Sequence, residues 1–161
     1  MRLKMQEDKL NHLVARMEIS RTLYGYAQGV DRRDWERFRG CFCQEVEIDL
    51  SSYSGNPPVT MALDDWVEVV RTGLSGFDAT QHISANHLIE VNQDKAHATS
   101  DVQASHILDG ERAVLAGWYD TQLKHEEGRW RISRSQLNVT WTLGPNTLYA
   151  RAAERFQKES H

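Results

Sequence analysis

Along the first half of the chain apolar residues recur every three or four positions, whereas along the second half they alternate every two. Leu10, Leu13, Val14, Met17 and Leu23 to Tyr24 keep helical spacing, so residues near 6 to 29 are predicted to form a long amphipathic helix. Asp34, Trp35, Phe38 and Phe42 then predict a short helix from about 32 to 39, with Asp31 as its candidate N-cap. The stretch Val46-Glu47-Ile48-Asp49-Leu50 alternates as a strand, and Ser54-Gly55-Asn56-Pro57-Pro58 reads as a loop. Leu63, Trp66, Val67, Val70 and Leu74 share one face of a third helix, with Gly76 marking its end.

Four extended segments follow, near 79 to 91, 96 to 109, 112 to 125 and 129 to 142. They are separated by Asn92-Gln93-Asp94-Lys95, Asp109-Gly110-Glu111 and Glu126-Glu127-Gly128, three compact turns that predict an antiparallel meander. Helices first and a sheet afterwards imply an α+β domain in which a curved antiparallel sheet wraps around three N-terminal helices. With no repeat, low-complexity stretch or linker, residues 1 to 161 read as one domain with its core at about 8 to 143. Within the tail, 146 to 160, Leu148 to Lys158 is expected to form a short helix that packs on the body or on another subunit.

Composition narrows the classes of function. The 161 residues are long enough to bury a core without disulfides or metal. The net charge is only −4 with both signs interspersed, which gives no basic footprint for nucleic acid. No stretch approaches a membrane span and the N-terminus lacks a signal-peptide core, so a cytoplasmic protein is expected. Cys41 and Cys43 lack the further cysteines of a closed zinc site and are too close to pair readily, so both read as reduced packing thiols. No Gly-x-Gly-x-x-Gly or P-loop pattern appears, and no nucleotide cofactor is expected.

The candidate chemistry centres on Asp31 and His82. If the fold brings them together, the carboxylate orients the imidazole through Nδ1–H and leaves Nε2 to take a proton as a general base. The alternative is two separate jobs, a helix cap and a hydrogen-bonded interior histidine. His106 alternates onto the face of Val102, Ala104 and Leu108, as either a cavity-lining group or a satisfied core residue. His87 falls on the opposite alternation from His82 and is expected to face away, while His12, His97 and His125 occupy positions expected to be exposed. Tyr24, Tyr53, Trp118, Tyr119 and Trp141 are aromatic candidates to line an apolar pocket, and Asn138 is a polar one.

Three stretches resemble a known superfamily: Tyr26-Ala27-Gln28-Gly29-Val30-Asp31-Arg32-Arg33-Asp34-Trp35, Thr80-Gln81-His82, and Gly128-Arg129-Trp130-Arg131-Ile132. The superfamily is the α+β cone of nuclear transport factor 2, ketosteroid isomerase, scytalone dehydratase and the SnoaL-like polyketide cyclases. The SnoaL-like branch is closest, and the likeness covers roughly residues 8 to 143. It implies that Asp31 orients the histidine, His82 is the catalytic base and His106 is a second active-site histidine. Likeness to bile-acid dehydratases adds Tyr26 as a donor to a carbonyl or leaving oxygen. A hexachlorocyclohexane dehydrochlorinase shares the Asp-His pair. Val30 and Leu50 stand where scytalone dehydratase has tyrosines, and its serine and asparagine have no match near Gly117 to Tyr119, so scytalone itself is not the expected substrate.

The resemblance implies a cofactor-independent lyase, a dehydratase acting on a hydrophobic cyclic or polyketide-like molecule. Asp31 and His82 are then catalytic, and Tyr26, His106, Tyr53, Trp118 and Asn138 are the candidate substrate-binding residues. The same first step would serve an isomerase or a cyclase. The remaining alternative is a non-catalytic ligand-binding protein resembling the small subunit of aromatic-ring-hydroxylating dioxygenases. Asp31, His82 and His106 have the ligand types of a facial metal triad, but the resemblance implies acid–base work and no metal. A homodimer or homotrimer is expected, because the open face of such a sheet is usually covered by a second copy.

Overall fold

The computed structural model describes residues 2 to 160. Helix α1 (Arg2–Arg32) outruns its predicted span at both ends and stops where Arg33 adopts a left-handed φ of 56°. The Arg33 and Asp34 amides turn back onto the carbonyls of Val30 and Gly29, which satisfies the open end of the helix. Gly29 permits this corner, since a Cβ there would lie 2.8 Å from the Phe38 backbone nitrogen. Helix α2 (Trp35–Arg39) is capped by Asp34, whose carboxylate accepts the Arg37 amide at 3.0 Å. The expected cap, Asp31, instead belongs to the last turn of α1, so its carboxylate is free for other partners.

Strand β1 (Phe42–Asp49) is followed by a single helical turn, α3 (Ser51–Ser54), and strand β2 (Val59–Ala62), neither of which the sequence pattern announced. Helix α4 (Leu63–Leu74) buries Leu63, Trp66, Val67 and Val70, the predicted apolar face. The meander is β3 (Ala79–Asn92), β4 (Lys95–Leu108), β5 (Glu111–Glu126) and β6 (Arg129–Leu143), and helix α5 (Thr147–Glu159) follows it. Two hairpins turn through Asp109-Gly110 and Glu127-Gly128, all four residues at positive φ, as a two-residue type I′ connection requires.

The six strands form one curved, unclosed sheet in the order β2-β1-β6-β5-β4-β3. Its α+β class agrees with expectation, with one refinement: β1 pairs parallel to β6, so the sheet is not wholly antiparallel. The inner face packs on α1, α2 and α4 around Ile19, Val30, Phe38, Phe42 and Leu123, each at most 2% exposed. A second cluster joins Phe77 and Leu108 to Leu148 and Ala152, which seats α5 on the body. Arg151 and Arg155 pair with Asp78, Asp109 and Glu111 around that seat. Cys41 and Cys43 are buried free thiols, pushed up by burial to about 12 and about 11. Among the described residues no helix is long and apolar enough to cross a membrane.

Candidate active site

Alternation along the meander decides which side chains look inward. On β4, Ala98, Ser100, Val102, Ala104, His106 and Leu108 are buried while most of their neighbours are open to solvent. Register carries that face across the sheet, because Ala104 sits opposite His82 on β3 and Ser100 opposite Tyr119 on β5. His82 therefore points at the end of α1, where Asp31 waits. The two side chains are 6% and 17% exposed, with His82 Nδ1 and Asp31 Oδ1 separated by 2.7 Å.

Asp31 is held by more than the imidazole. Its Oδ2 accepts the His82 backbone amide at 2.7 Å, and its Oδ1 also accepts the Thr80 hydroxyl at 3.0 Å. Arg33 donates to that hydroxyl and to the Val30 carbonyl, bracing the end of α1 against the start of β3. Burial works to raise the Asp31 carboxyl, yet the hydrogen bonds from the His82 ring and amide and from Thr80 outweigh it and hold the group below its ordinary value. A carboxylate accepting at Nδ1 leaves the Nε2 lone pair of His82 available to a reacting proton.

His82 lines a small pocket of about 20 Å³ between α1 and the inner sheet face. Its apolar wall is Leu23, Ala27, Val102 and Ile132, and its polar groups are those of His82, Tyr26, Tyr119, Ser84, Ser100, Thr121 and Ser135. The Tyr26 and Tyr119 hydroxyls share a hydrogen bond of 3.0 Å, and the Tyr26 ring stands edge-on to His82 at 6.5 Å between centroids. Burial raises both phenols above their ordinary value, for Tyr26 against the opposing pull of the Tyr119 hydrogen bond, so both are neutral donors.

Of the remaining candidates, His106 packs edge-on against His82 at 5.4 Å but is not among the residues lining the cavity. Its Nδ1 hydrogen bonds the Tyr149 hydroxyl at 3.1 Å, and burial, reinforced by the charge of His82, pushes it down to about 3. Tyr53 lies on α3 against Tyr149, outside the cavity. Trp118 and Asn138 are register partners on the outer face, which corrects their placement as substrate contacts: Tyr119 and Leu137 take the inward positions, so their neighbours point out. Trp118 is 40% exposed, and the Asn138 amide nitrogen is buried with no hydrogen-bond partner among the described residues.

His87 is also corrected, because it faces inward. A bulge between Ala85 and Leu88, with Asn86 at φ 52°, adds one residue to β3 and returns His87 to the side of α1. There it stacks on Tyr24 and hydrogen bonds Ser20 and Ser84. Ser84 and Ser100 escaped the sequence reading although strand alternation with His82 and His106 pointed to them. Tyr149 and Arg33 carried no such signal. Among the described residues no group of three histidine, cysteine or acidic side chains is placed to hold a metal ion.

No curated protein matches the chain by sequence. Solved structures do: a protein of Kribbella flavida superposes with a TM-score of 0.80 at 28% identity, covering 87% of this chain and 99% of its own. A provisionally named scytalone dehydratase of Novosphingobium aromaticivorans follows at 0.74 and 25%, covering 84% and 90%. A hexachlorocyclohexane dehydrochlorinase of Novosphingobium barchaimii shares the fold at 0.73 and 18%, covering 86% and 94%. Residues 11–136, most of the length, match the SnoaL-like domain, and the chain belongs to that family.

Proposed function

We propose that this protein is a cofactor-independent lyase, a dehydratase that acts on a small hydrophobic cyclic or polyketide-like ketone. The observation that carries the reading is the double grip of Asp31 on His82, through Nδ1 and through the backbone amide, at the wall of the cavity. His82 Nε2 removes a proton beside the substrate carbonyl, and the Asp31 carboxylate stabilises the imidazolium that results. Tyr26, partnered by Tyr119, donates to the carbonyl oxygen as negative charge gathers there. His106 is left as packing and hydrogen-bonding support behind His82.

Two structural neighbours bear the names of elimination enzymes, a dehydratase and a dehydrochlorinase, which supports elimination over other outcomes of the same proton transfer. An isomerase or cyclase would use the same first step.

The test is deuterium exchange from solvent into a panel of cyclic ketones and β-hydroxy ketones, read by NMR, with wild type beside His82→Ala. Exchange or elimination in the wild type that is lost in the variant supports the base. Equal activity in the two proteins, or none across the panel in the wild type, overturns the reading.

A further inference from the structure

The elimination proposed above places a proton on His82, and a leaving oxygen on the side of the substrate away from that base needs a proton from a second donor. Tyr26 is occupied with the carbonyl, and His106 does not line the cavity. A second histidine on the same strand is unused. His87 Nε2 lies 2.9 Å from the Ser84 Oγ, and its Nδ1 lies 3.0 Å from the Ser20 Oγ on α1. Ser84 lines the same cavity as His82, two residues along one strand face. Ser20 and His87 are half-buried, so the chain of three groups runs from the cavity wall toward solvent.

Two features hold this chain in register. Asn86 occupies a left-handed conformation that asparagine tolerates better than most residues, and its amide donates to Asp101 at 2.6 Å. Tyr24 stacks on the imidazole with ring centroids 4.8 Å apart. Without the extra residue of the bulge, strict alternation would turn His87 to the outer face, away from Ser84 and Ser20.

We propose that Ser84, His87 and Ser20 form a proton relay that supplies the departing oxygen, with Ser84 touching substrate and the other two acting through it. The proposal rests on the lyase reading above. As His82 Nε2 takes the C–H proton, that bonding pair becomes the new C=C and the C–O pair leaves with oxygen. The oxygen takes the Ser84 hydroxyl proton, Ser84 takes the His87 Nε2 proton, His87 Nδ1 takes the Ser20 proton, and Ser20 is reprotonated by solvent water. After this step the hydrogen bonds of the relay are reversed and His87 is neutral with its proton on Nδ1. His82 then returns its proton through the product water to Ser84, Ser84 passes one to His87 Nε2, His87 Nδ1 gives one to Ser20 and Ser20 gives one to solvent, so every group regains its starting form and the sum is loss of one water from the substrate. Burial lowers the proton affinity of His87, which suits a group that passes protons on without storing one.

The probes are cyclic β-hydroxy ketones and their β-acetoxy counterparts, whose leaving acetate needs no proton. In Ser84→Ala and in His87→Gln the ratio of hydroxy to acetoxy elimination is expected to fall about 100-fold, in kcat rather than KM. Equal loss for both leaving groups would mark a merely structural histidine, and no loss for either would mark an idle one; both leave the ratio unchanged and overturn the relay. His82→Ala must lose both eliminations and the deuterium exchange together. Exchange and elimination surviving in His82→Ala would sink the base assignment, while the leaving-group ratio in the other variants would still judge the relay. Should Ser84→Ala fail to fold, Ser20→Ala interrupts the same chain from its far end and must reproduce the ratio.

Discussion

Two histidines five residues apart on β3 face the same helix and are held in opposite ways. His82 is gripped by a carboxylate, Asp31, at ring and backbone, whereas His87 is held by two serine hydroxyls and a tyrosine face. A carboxylate stabilises an imidazolium, so the first site can take up a proton and keep it through a reaction step. Hydroxyls accept and donate with equal ease, so the second site has no fixed charge to stabilise an added proton. One strand thus carries a site suited to proton storage and a site suited to proton passage. What separates them is the partner presented by α1 and the single extra residue between them.

The contrast can be broken at several points. His82→Ala removes the storing site, and kcat for elimination should drop about 10³-fold with the fold kept, as read by steady-state kinetics beside circular dichroism. Asp31→Asn makes the first site resemble the second: the imidazole keeps a neutral partner and loses the charge. We expect a loss of about 10²-fold in kcat, smaller than for His82→Ala, and a result as large as the deletion would mean that the carboxylate also fixes the fold of the site.

His106 extends the comparison to stability, since it is an interior histidine whose side-chain hydrogen-bond partner is the Tyr149 hydroxyl and not a carboxylate. Its depressed value means that the unfolded chain binds a proton which the folded chain refuses. Stability is therefore complete above about pH 6.5 and declines as pH falls toward about 3, by about 1.4 kcal/mol per pH unit for this one group. Urea melts between pH 4 and 7 should show that slope reduced in His106→Gln, and an unchanged slope would assign it to other groups. Finally, Ser20→Asp places a carboxylate behind His87 and makes the second site resemble the first. Its proton affinity should rise about two- to fivefold, as read by NMR titration of the imidazole, in keeping with a half-buried ion pair.

The meander was legible because alternation is strong over four long segments and the turns carry residues that accept positive φ. The inward face of β4 followed from the same alternation, and His106 is indeed buried there. The buried face of α4 could be read from spacing alone. The pairing of Asp31 with His82 was reached only through family resemblance, since a helix end and a strand fifty residues apart share no local signal. Spacing by itself favoured Asp31 as a cap, and Asp34 takes that role instead.

What the chain determined alone was period: helical stripes first, alternation afterwards, and hence the α+β order of elements. Period is a property of neighbours along the backbone, so it survives without knowledge of the fold. Tertiary structure decided the parallel union of β1 with β6, the meeting of Tyr26 with Tyr119, and the side of the sheet on which His87 lies. Each depends on a partner distant in sequence. A bulge exists only relative to the strand beside it, and one extra residue there is enough to reverse every inference that alternation would make about the positions beyond.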